Sequence, residues 1–366
     1  MKNPTFYFDS SRVTRPSEKV VATLHSLSKD HWHSPFELTK KSEQSIQDYF
    51  KAPERSRFYL TTSASEGFSH ILESICLKHI SKTGKNHIIA AADDLFLAKM
   101  IERWQPFGVT LKKVLLNSEG QVTANTLSSL LSPRTSFVTL PWANGLTGVI
   151  YPIWEIANLC REKGILFHVD ASAILGKYYF SFSDIPIDFL TFEGSLIHAP
   201  TGSGGLLVRD NETIFPFRAK QQRALFASLA CACEEMEEYF DHTCLETARL
   251  RNTFEARIKK GFLEAEVLFQ SSERLPHVSC IAFPGIFHEL LAFTLSEKGL
   301  AACFGVENGL SLESMLKEIG VEPTFCASAL SFSLSRETTE SEIEQAAAVI
   351  VEEAQRLKTF SRKVFA

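Results

Sequence analysis

Short apolar runs alternate with helix-period segments through the first two thirds of the chain, the pattern of a mostly parallel sheet covered by helices. The clearest unit runs from a strand at 136–140 (SFVTL), through a helix beginning near Pro152, to a strand at 165–169 (ILFHV). Pro152 suits a first helical turn, where its missing N–H costs nothing. Ile153, Ile156, Ala157 and Cys160 make one apolar face, and Gly164 stands where a C-terminal cap belongs. A βαβ crossover is the simplest account. An earlier helix follows 61–67 (TTSASEG), with Phe68, Ile71, Leu72, Ile75 and Cys76 on one stripe. Residues 187–192 (IDFLTF) and 205–209 (GLLVR) read as two more strands, joined by a loop rich in Gly, Ser, Pro and Thr. A helical stretch rich in Ala, Cys and Glu spans about 224–257, after which mixed strands and helices predict a domain boundary near Arg251. The last helix opens on a capping box, Thr339 with Glu342, and turns Ile343, Ala347, Ile350, Val351, Ala354 and Leu357 to one side.

Composition narrows the function classes more than it specifies one. The 366 residues are 45% hydrophobic and 22% charged, ordinary for a globular chain with a sizeable core and room for a second, smaller domain. Net charge is −5 and the basic residues are scattered, so there is no phosphate-neutralising stripe and nucleic acid is set aside. The N-terminus has no apolar signal core, and no stretch reaches the roughly 18 apolar residues of a membrane helix. A cytoplasmic protein with no membrane association is expected. The eight cysteines include no Cys-x-x-Cys pair and no zinc-type spacing with histidine, which predicts reduced thiols, mostly core filler, and no metal site.

Five local strings, in register over nearly the whole chain, resemble the cysteine desulfurases of the NifS/IscS type, within the class V aminotransferase family. Residues 7–16 (YFDSSRVTRP) resemble the opening strand and turn, 61–67 the phosphate loop, and 168–171 (HVDA) the cofactor aspartate motif. Residues 192–202 (FEGSLIHAPTG) resemble the lysine loop, and 332–339 (FSLSRETT) the C-terminal substrate segment. The resemblance implies the α/β fold of fold-type I pyridoxal-phosphate enzymes, a mainly parallel seven-stranded sheet with helices on both faces. It implies a large domain of about 15–250 and a small α+β domain of 251–366 completed by 1–14. A homodimer is implied as well, and the apolar, cysteine-bearing helix after Ala224 would then find cover in the partner.

Residue by residue, the same resemblance points to a degenerate site. The lysine that anchors pyridoxal phosphate as a Schiff base and moves the substrate's α-proton corresponds to Leu196, twenty-six residues after Asp170, as in the family. Lys177 belongs to a segment that the family carries without catalytic use. The stacking histidine corresponds to the neighbourhood of Asp94, the glutamine on the ring oxygen to Ala173, and the turn asparagine to Gly145 with Asn144 beside it. The substrate-clamping arginine corresponds to Ser331. The phosphate-binding serine upstream of the lysine is Glu193; two like charges about 4 Å apart at an effective dielectric near 20 repel by about 4 kcal/mol. Ala64, Ser65, Asn144, Asp170 and Ser195 are what remains of a cofactor site, with Asp170 also readable as a strand-end cap and His168 as a core histidine. Cys303 lies near the place of the family's sulfur-accepting thiol.

Three readings follow. The first is a desulfurase-like protein without catalysis or covalent cofactor, acting by binding an iron–sulfur scaffold or sulfur-acceptor protein. The second is an active pyridoxal-phosphate desulfurase or class V aminotransferase with unorthodox groups. The third is an anion binder or enzyme independent of pyridoxal phosphate that reuses the Ala64–Ser65 cradle.

Overall fold

The computed structural model describes residues 6–29, 35–209, 223–305 and 311–364. Its strands are β1 (Phe6–Tyr7), β2 (Arg57–Thr61), β3 (His87–Ala91), β4 (Thr110–Val114), β5 (Thr135–Pro141), β6 (Leu166–Asp170), β7 (Phe189–Glu193), β8 (Gly204–Val208), β9 (Glu266–Val267), β10 (Val278–Ala282), β11 (Leu300–Ala301) and β12 (Ala329–Ser333). Seven of them form the central sheet in the order β2-β8-β7-β6-β5-β3-β4, in which every pairing is parallel except those of β8 with β2 and β7. The fold is therefore the mainly parallel α/β architecture read from the sequence.

Alternation along the strands explains the layers. In β3, Ile88 and Ala90 pack with Phe68, Ile71 and Leu72 of helix α3 (Ala64–Ser74), whereas Ile89 and Ala91 join the core that holds Ile153, Ile156 and Cys160. Successive side chains of a strand point to opposite faces, so helices must cover both. The predicted crossover is present: β5, the helix Ile153–Glu162 and β6, with Gly164 left-handed at φ +62° just past the helix end. Each fully buried Ile or Phe in these layers contributes about 2 kcal/mol of apolar burial.

Another core gathers Phe6 and Phe8 with Leu250, Phe254, Ile281, Phe332 and the apolar face of the last helix, Glu340–Val364. The capping box of that helix is formed: the Thr339 N–H donates to Glu342 Oε2 at 2.7 Å, and the Glu342 N–H donates to Thr339 Oγ1 at 3.2 Å.

Two expectations change. The helical stretch at about 224–257 is two helices, Arg223–Glu238 and Phe240–Gly261, separated at Tyr239 (φ −102°, ψ +10°). No Gly or Pro marks the corner; the Arg336 guanidinium braces it, bonded to Glu235 at 3.1 Å and lying over the Tyr239 ring. The first of these helices needs no cover from a partner, because α1 (Glu18–Lys29) and α2 (Pro35–Tyr49) of the same chain pack on it. Among the described residues no helix is long and apolar enough to cross a membrane.

Candidate functional site

The C-terminal edge of a parallel sheet is where open α/β folds collect functional groups, because loops and helix N-termini converge there. Here β2 leads into α3, Asp93 and Asp94 follow β3, Asn144 follows β5, and Asp170 and Glu193 close β6 and β7.

The N-terminus of α3 is drawn against the sheet by Gly204 of β8. A Cβ there would lie 3.1 Å from Ser63 Cα and 2.7 Å from the Phe192 carbonyl oxygen, so only glycine permits the approach. Ser63 caps the helix, its Oγ accepting from the Glu66 N–H at 3.1 Å. The Ala64 N–H, one of the exposed donors that make a helix N-terminus an anion site, donates to Glu193 Oε2 at 2.9 Å. Desolvation, partly offset by that bond, pushes the Glu193 carboxyl up to about 7. Ser65 is half-buried in the first turn of α3.

Asp170 is tied to the same network. It accepts from the Ser172 N–H at 2.8 Å and from Ser172 Oγ, which in turn accepts from the Glu193 N–H at 3.0 Å. The strand-end carboxylate thus caps the following turn, and burial raises its pKa. His168 is a core histidine with both ring nitrogens engaged, by Thr139 Oγ1 at 2.7 Å and Thr191 Oγ1 at 2.9 Å; burial pushes it down to about 3. Ala173 packs against the main core.

Asp94 is the N-cap of the helix Leu95–Glu102, accepting from the Leu97 N–H at 3.0 Å; burial, with Asp170 and Asp93 nearby, pushes it up to about 7. Asp93, which sequence reasoning passed over, accepts from Asn144 Nδ2 at 2.9 Å and from Tyr151 Oη at 2.6 Å through Oδ2, while its buried Oδ1 has no hydrogen-bond partner. Asn144 Oδ1 accepts from the Leu146 and Thr147 N–H groups, both at 2.9 Å, so its side chain shapes the turn. The only sequence signal for Asp93 was the acidic doublet at a strand end.

Two cavities adjoin these elements; of Ala64, Ser65, Asn144, Asp170 and Ser195, Asn144 alone is among the described residues that line either. The larger, about 430 Å³, is lined by Asp93, Asp94, Asn144 and Gly145 together with Arg12, Cys303 and Ser331. Cys303 and Ser331 are backbone partners: the Cys303 N–H donates to the Ser331 carbonyl at 3.0 Å and the Ser331 N–H returns at 2.7 Å. The Gly305 N–H donates to Cys303 Sγ at 3.3 Å. Leu196 does not line this cavity. It sits in the 3₁₀ turn Gly194–Leu196, buried, beside a cavity of about 10 Å³ with Lys177, His277 and Arg336. Lys177 Nζ donates to the Leu196 carbonyl at 3.0 Å, and desolvation pushes it down to about 8. The Ser195 carbonyl accepts from Thr14, from the N–H at 2.7 Å and from Oγ1 at 2.8 Å, fixing the turn to the N-terminal segment.

A parallel sheet carrying a helix-N-terminal cradle and an aspartate along its C-terminal edge, with a smaller antiparallel sheet beside it, defines the fold-type I class of pyridoxal-phosphate proteins. The chain belongs to the class V aminotransferase family, whose profile matches residues 12–220, and it is a NifS-like, cysteine desulfurase-like member. It is 27% identical to a cysteine desulfurase of Nostoc sp. strain PCC 7120, over 97% of this chain and 94% of the relative. Identity to the cysteine desulfurase NifS of Azotobacter vinelandii is 26%, over 93% and 90%. The solved structure of a NifS-like protein superposes with a TM-score of 0.87 at 22% identity, covering 96% of this chain and all of that one. The enzymes of this family use pyridoxal phosphate.

Proposed function

We propose that this protein is a desulfurase-like homodimer without desulfurase activity, working by binding an iron–sulfur scaffold or sulfur-acceptor protein in the cytoplasm. The observation that carries the reading is Leu196. An isobutyl side chain stands at the position aligned with the Schiff-base lysine, buried in the 3₁₀ turn that follows β7. It has neither an amine to bond the cofactor nor a group to move a proton.

The residues present do not fit pyridoxal phosphate. Leu196 removes the covalent anchor, and Glu193 meets the phosphate end with a carboxylate already bonded to the Ala64 N–H. Asp94, committed to capping its helix, offers no imidazole to stack on the ring. Ser331 lacks the planar donor pair that clamps a substrate carboxylate. Cys303, in the wall of the larger cavity, is the thiol best placed to meet a sulfur donor. The proposed organisation is a large domain of 15–250 and a small one of 251–366 completed by 1–14; residues 1–5, 30–34, 210–222, 306–310 and 365–366 of these spans lie outside the described residues.

Incubating the purified protein with pyridoxal phosphate and cysteine, and measuring alanine and sulfide, tests the reading. No turnover and no reducible Schiff-base absorbance are expected, with light scattering giving the mass of a dimer. Sulfide release by the wild type overturns the loss of catalysis, and a stable monomer at micromolar concentration overturns the assembly.

A further inference from the structure

The absence of lysine at 196 forbids a covalent cofactor but leaves open its non-covalent capture through the phosphate. We infer that Glu193 closes that route as well, its carboxylate being the built-in anion of the α3 N-terminus and holding the cradle shut against phosphate-bearing ligands. The inference is independent of Leu196, since it concerns a different residue and a different step, binding rather than chemistry.

Three observations carry it. First, the Ala64 and Glu66 donors that would receive a phosphate are already committed. The Ala64 N–H goes to Glu193 Oε2 at 2.9 Å, the Glu66 N–H to Ser63 Oγ at 3.1 Å and the Gly67 N–H to the Ser63 carbonyl at 3.3 Å. Upstream, the Thr62 hydroxyl donates to Glu66 Oε2 at 2.7 Å, so a second carboxylate of the chain folds back over the loop. A helix start gains from an anion at its N–H groups, and here the chain supplies its own.

Second, both ends of the Glu193–Ala64 bond are held in place. Glu193 is the last residue of β7, paired with Gly204, with its N–H on Ser172 Oγ at 3.0 Å and the next N–H, of Gly194, on the Ser203 carbonyl at 2.7 Å. The helix start is pressed on the same strand pair through the missing side chain of Gly204. The carboxylate thus occupies the cradle by construction, not by a chance rotamer of a mobile loop.

Third, the surroundings are wrong for a second anion. Glu193 is close enough to Asp170 to feel its charge, and Asp170 is bound into the same hydrogen-bonded chain through Ser172. A phosphate dianion arriving at Ala64 would have to displace one carboxylate and then lie beside two, where like charges in a half-buried site repel strongly.

The test uses inorganic phosphate as probe, with Leu196 retained throughout. Wild type, Glu193→Ser and Glu193→Gln are titrated calorimetrically at pH 8, above the raised value of about 7 for the Glu193 carboxyl, and followed by thermal denaturation, which reports any ligand that binds the folded state. The wild type is expected to show no saturable phosphate binding at millimolar concentration. Glu193→Ser, which removes both the charge and the reach, is expected to bind phosphate at least about tenfold more tightly, a gain equal to the loss of about 1.4 kcal/mol of repulsion. Glu193→Gln keeps size and acceptor but not charge and is expected to lie between them. It also keeps the question answerable should the serine variant fold poorly. Wild-type phosphate binding as tight as that of the folded variants, or no gain in either variant, overturns the inference. Because no variant carries lysine at 196, that result leaves the reading of lost catalysis untouched, whereas sulfide release by the wild type would sink that reading directly.

Discussion

The two cavities differ in charge and in room. The larger, about 430 Å³, has Asp93 and Asp94 in its wall, and burial raises both carboxyls, Asp94 to about 7. The smaller, about 10 Å³, is walled by Lys177, His198, His277 and Arg336 with no carboxylate among the described residues that line it. There burial lowers Lys177 to about 8, His198 to about 4 and His277 well below its ordinary value. A volume of that size holds a single water at most, although His277 Nδ1 and Arg336 Nη1 lack protein partners. The difference lies in what each charge is given: Arg12 in the larger wall faces Asp9 and Arg336 in the smaller wall is bonded to Glu235 at 3.1 Å, whereas Asp93, Asp94 and Lys177 are desolvated with neutral hydrogen-bond partners. Leu196 belongs to the basic, closed side.

The largest expected effect comes from placing a charge on that side. Leu196→Lys, alone, is expected to leave alanine and sulfide release at background. A lysine at 196 would still lack a phosphate cradle open to the cofactor, a stacking histidine and a carboxylate clamp, and groups that act as a unit recover little when restored singly. Even a misplacement of about 1 Å costs roughly a hundredfold in rate. The new ammonium would also be buried beside Lys177, His277 and Arg336, so denaturant unfolding is expected to show a loss of about 3 kcal/mol. Appreciable turnover by this single variant would mean that the site is nearly intact. A wild-type unfolding midpoint would mean that Leu196 does not face a basic wall.

What was legible in the sequence divides along the same lines. The β5–helix–β6 crossover and the final capping box were readable because periodicity and caps are local. The in-register strings carried the seven-stranded sheet and the position of Leu196. The bond from Ala64 to Glu193 joins residues 129 apart and depends on β8 lying between β2 and β7, an order that no local pattern encodes. Asp93 gained its role only when the turn after β5 brought Asn144 and Tyr151 to it. The corner at Tyr239 was invisible for the same reason, since its brace is Arg336, nearly a hundred residues on. Glu193 was readable as a hindrance to phosphate, and the structure adds that its carboxyl oxygen takes the Ala64 N–H.

The pH dependence of stability separates the two cavities. For Asp94 of the larger one the folded pKa lies above the unfolded value, so its stabilising contribution is complete below about pH 4 and is lost as pH rises through about 7. For Lys177 the folded pKa, about 8, lies below the unfolded 10.5, so the fold gains stability as pH rises from about 8 to above 10. Asp94→Asn, which keeps a good N-cap, is expected to flatten the slope between pH 4 and 7 by an amount on the order of 2 kcal/mol. Lys177→Met is expected to flatten only the alkaline limb, by a similar or smaller amount. Urea unfolding across pH reads both, and a variant that flattened the other's limb would show the cavities to be one electrostatic unit.

A change at a residue that lines neither cavity sets the baseline for these slopes and has the smallest expected effect. Thr339 Oγ1 accepts from the Glu342 N–H at 3.2 Å, capping a helix whose apolar face, Ile343, Ala347, Ile350, Ala354 and Leu357, packs into the core with Phe254 and Phe332. Thr339→Ala removes that acceptor while the Thr339 N–H keeps Glu342 Oε2, so half of the reciprocal pair survives. The cost is expected at about 1 kcal/mol, the usual worth of an N-cap hydroxyl. Since the substitution removes no charge and Thr339 lines neither cavity, the same loss is expected at pH 5, 7 and 10. A pH-flat deficit would assign the slopes lost in Asp94→Asn and Lys177→Met to their own cavities, because distant independent sites add. A deficit that grew toward alkaline pH would instead couple the capping box to the basic cavity through the segment 334–339, where Leu334, Ser335 and Arg336 form part of that cavity's wall.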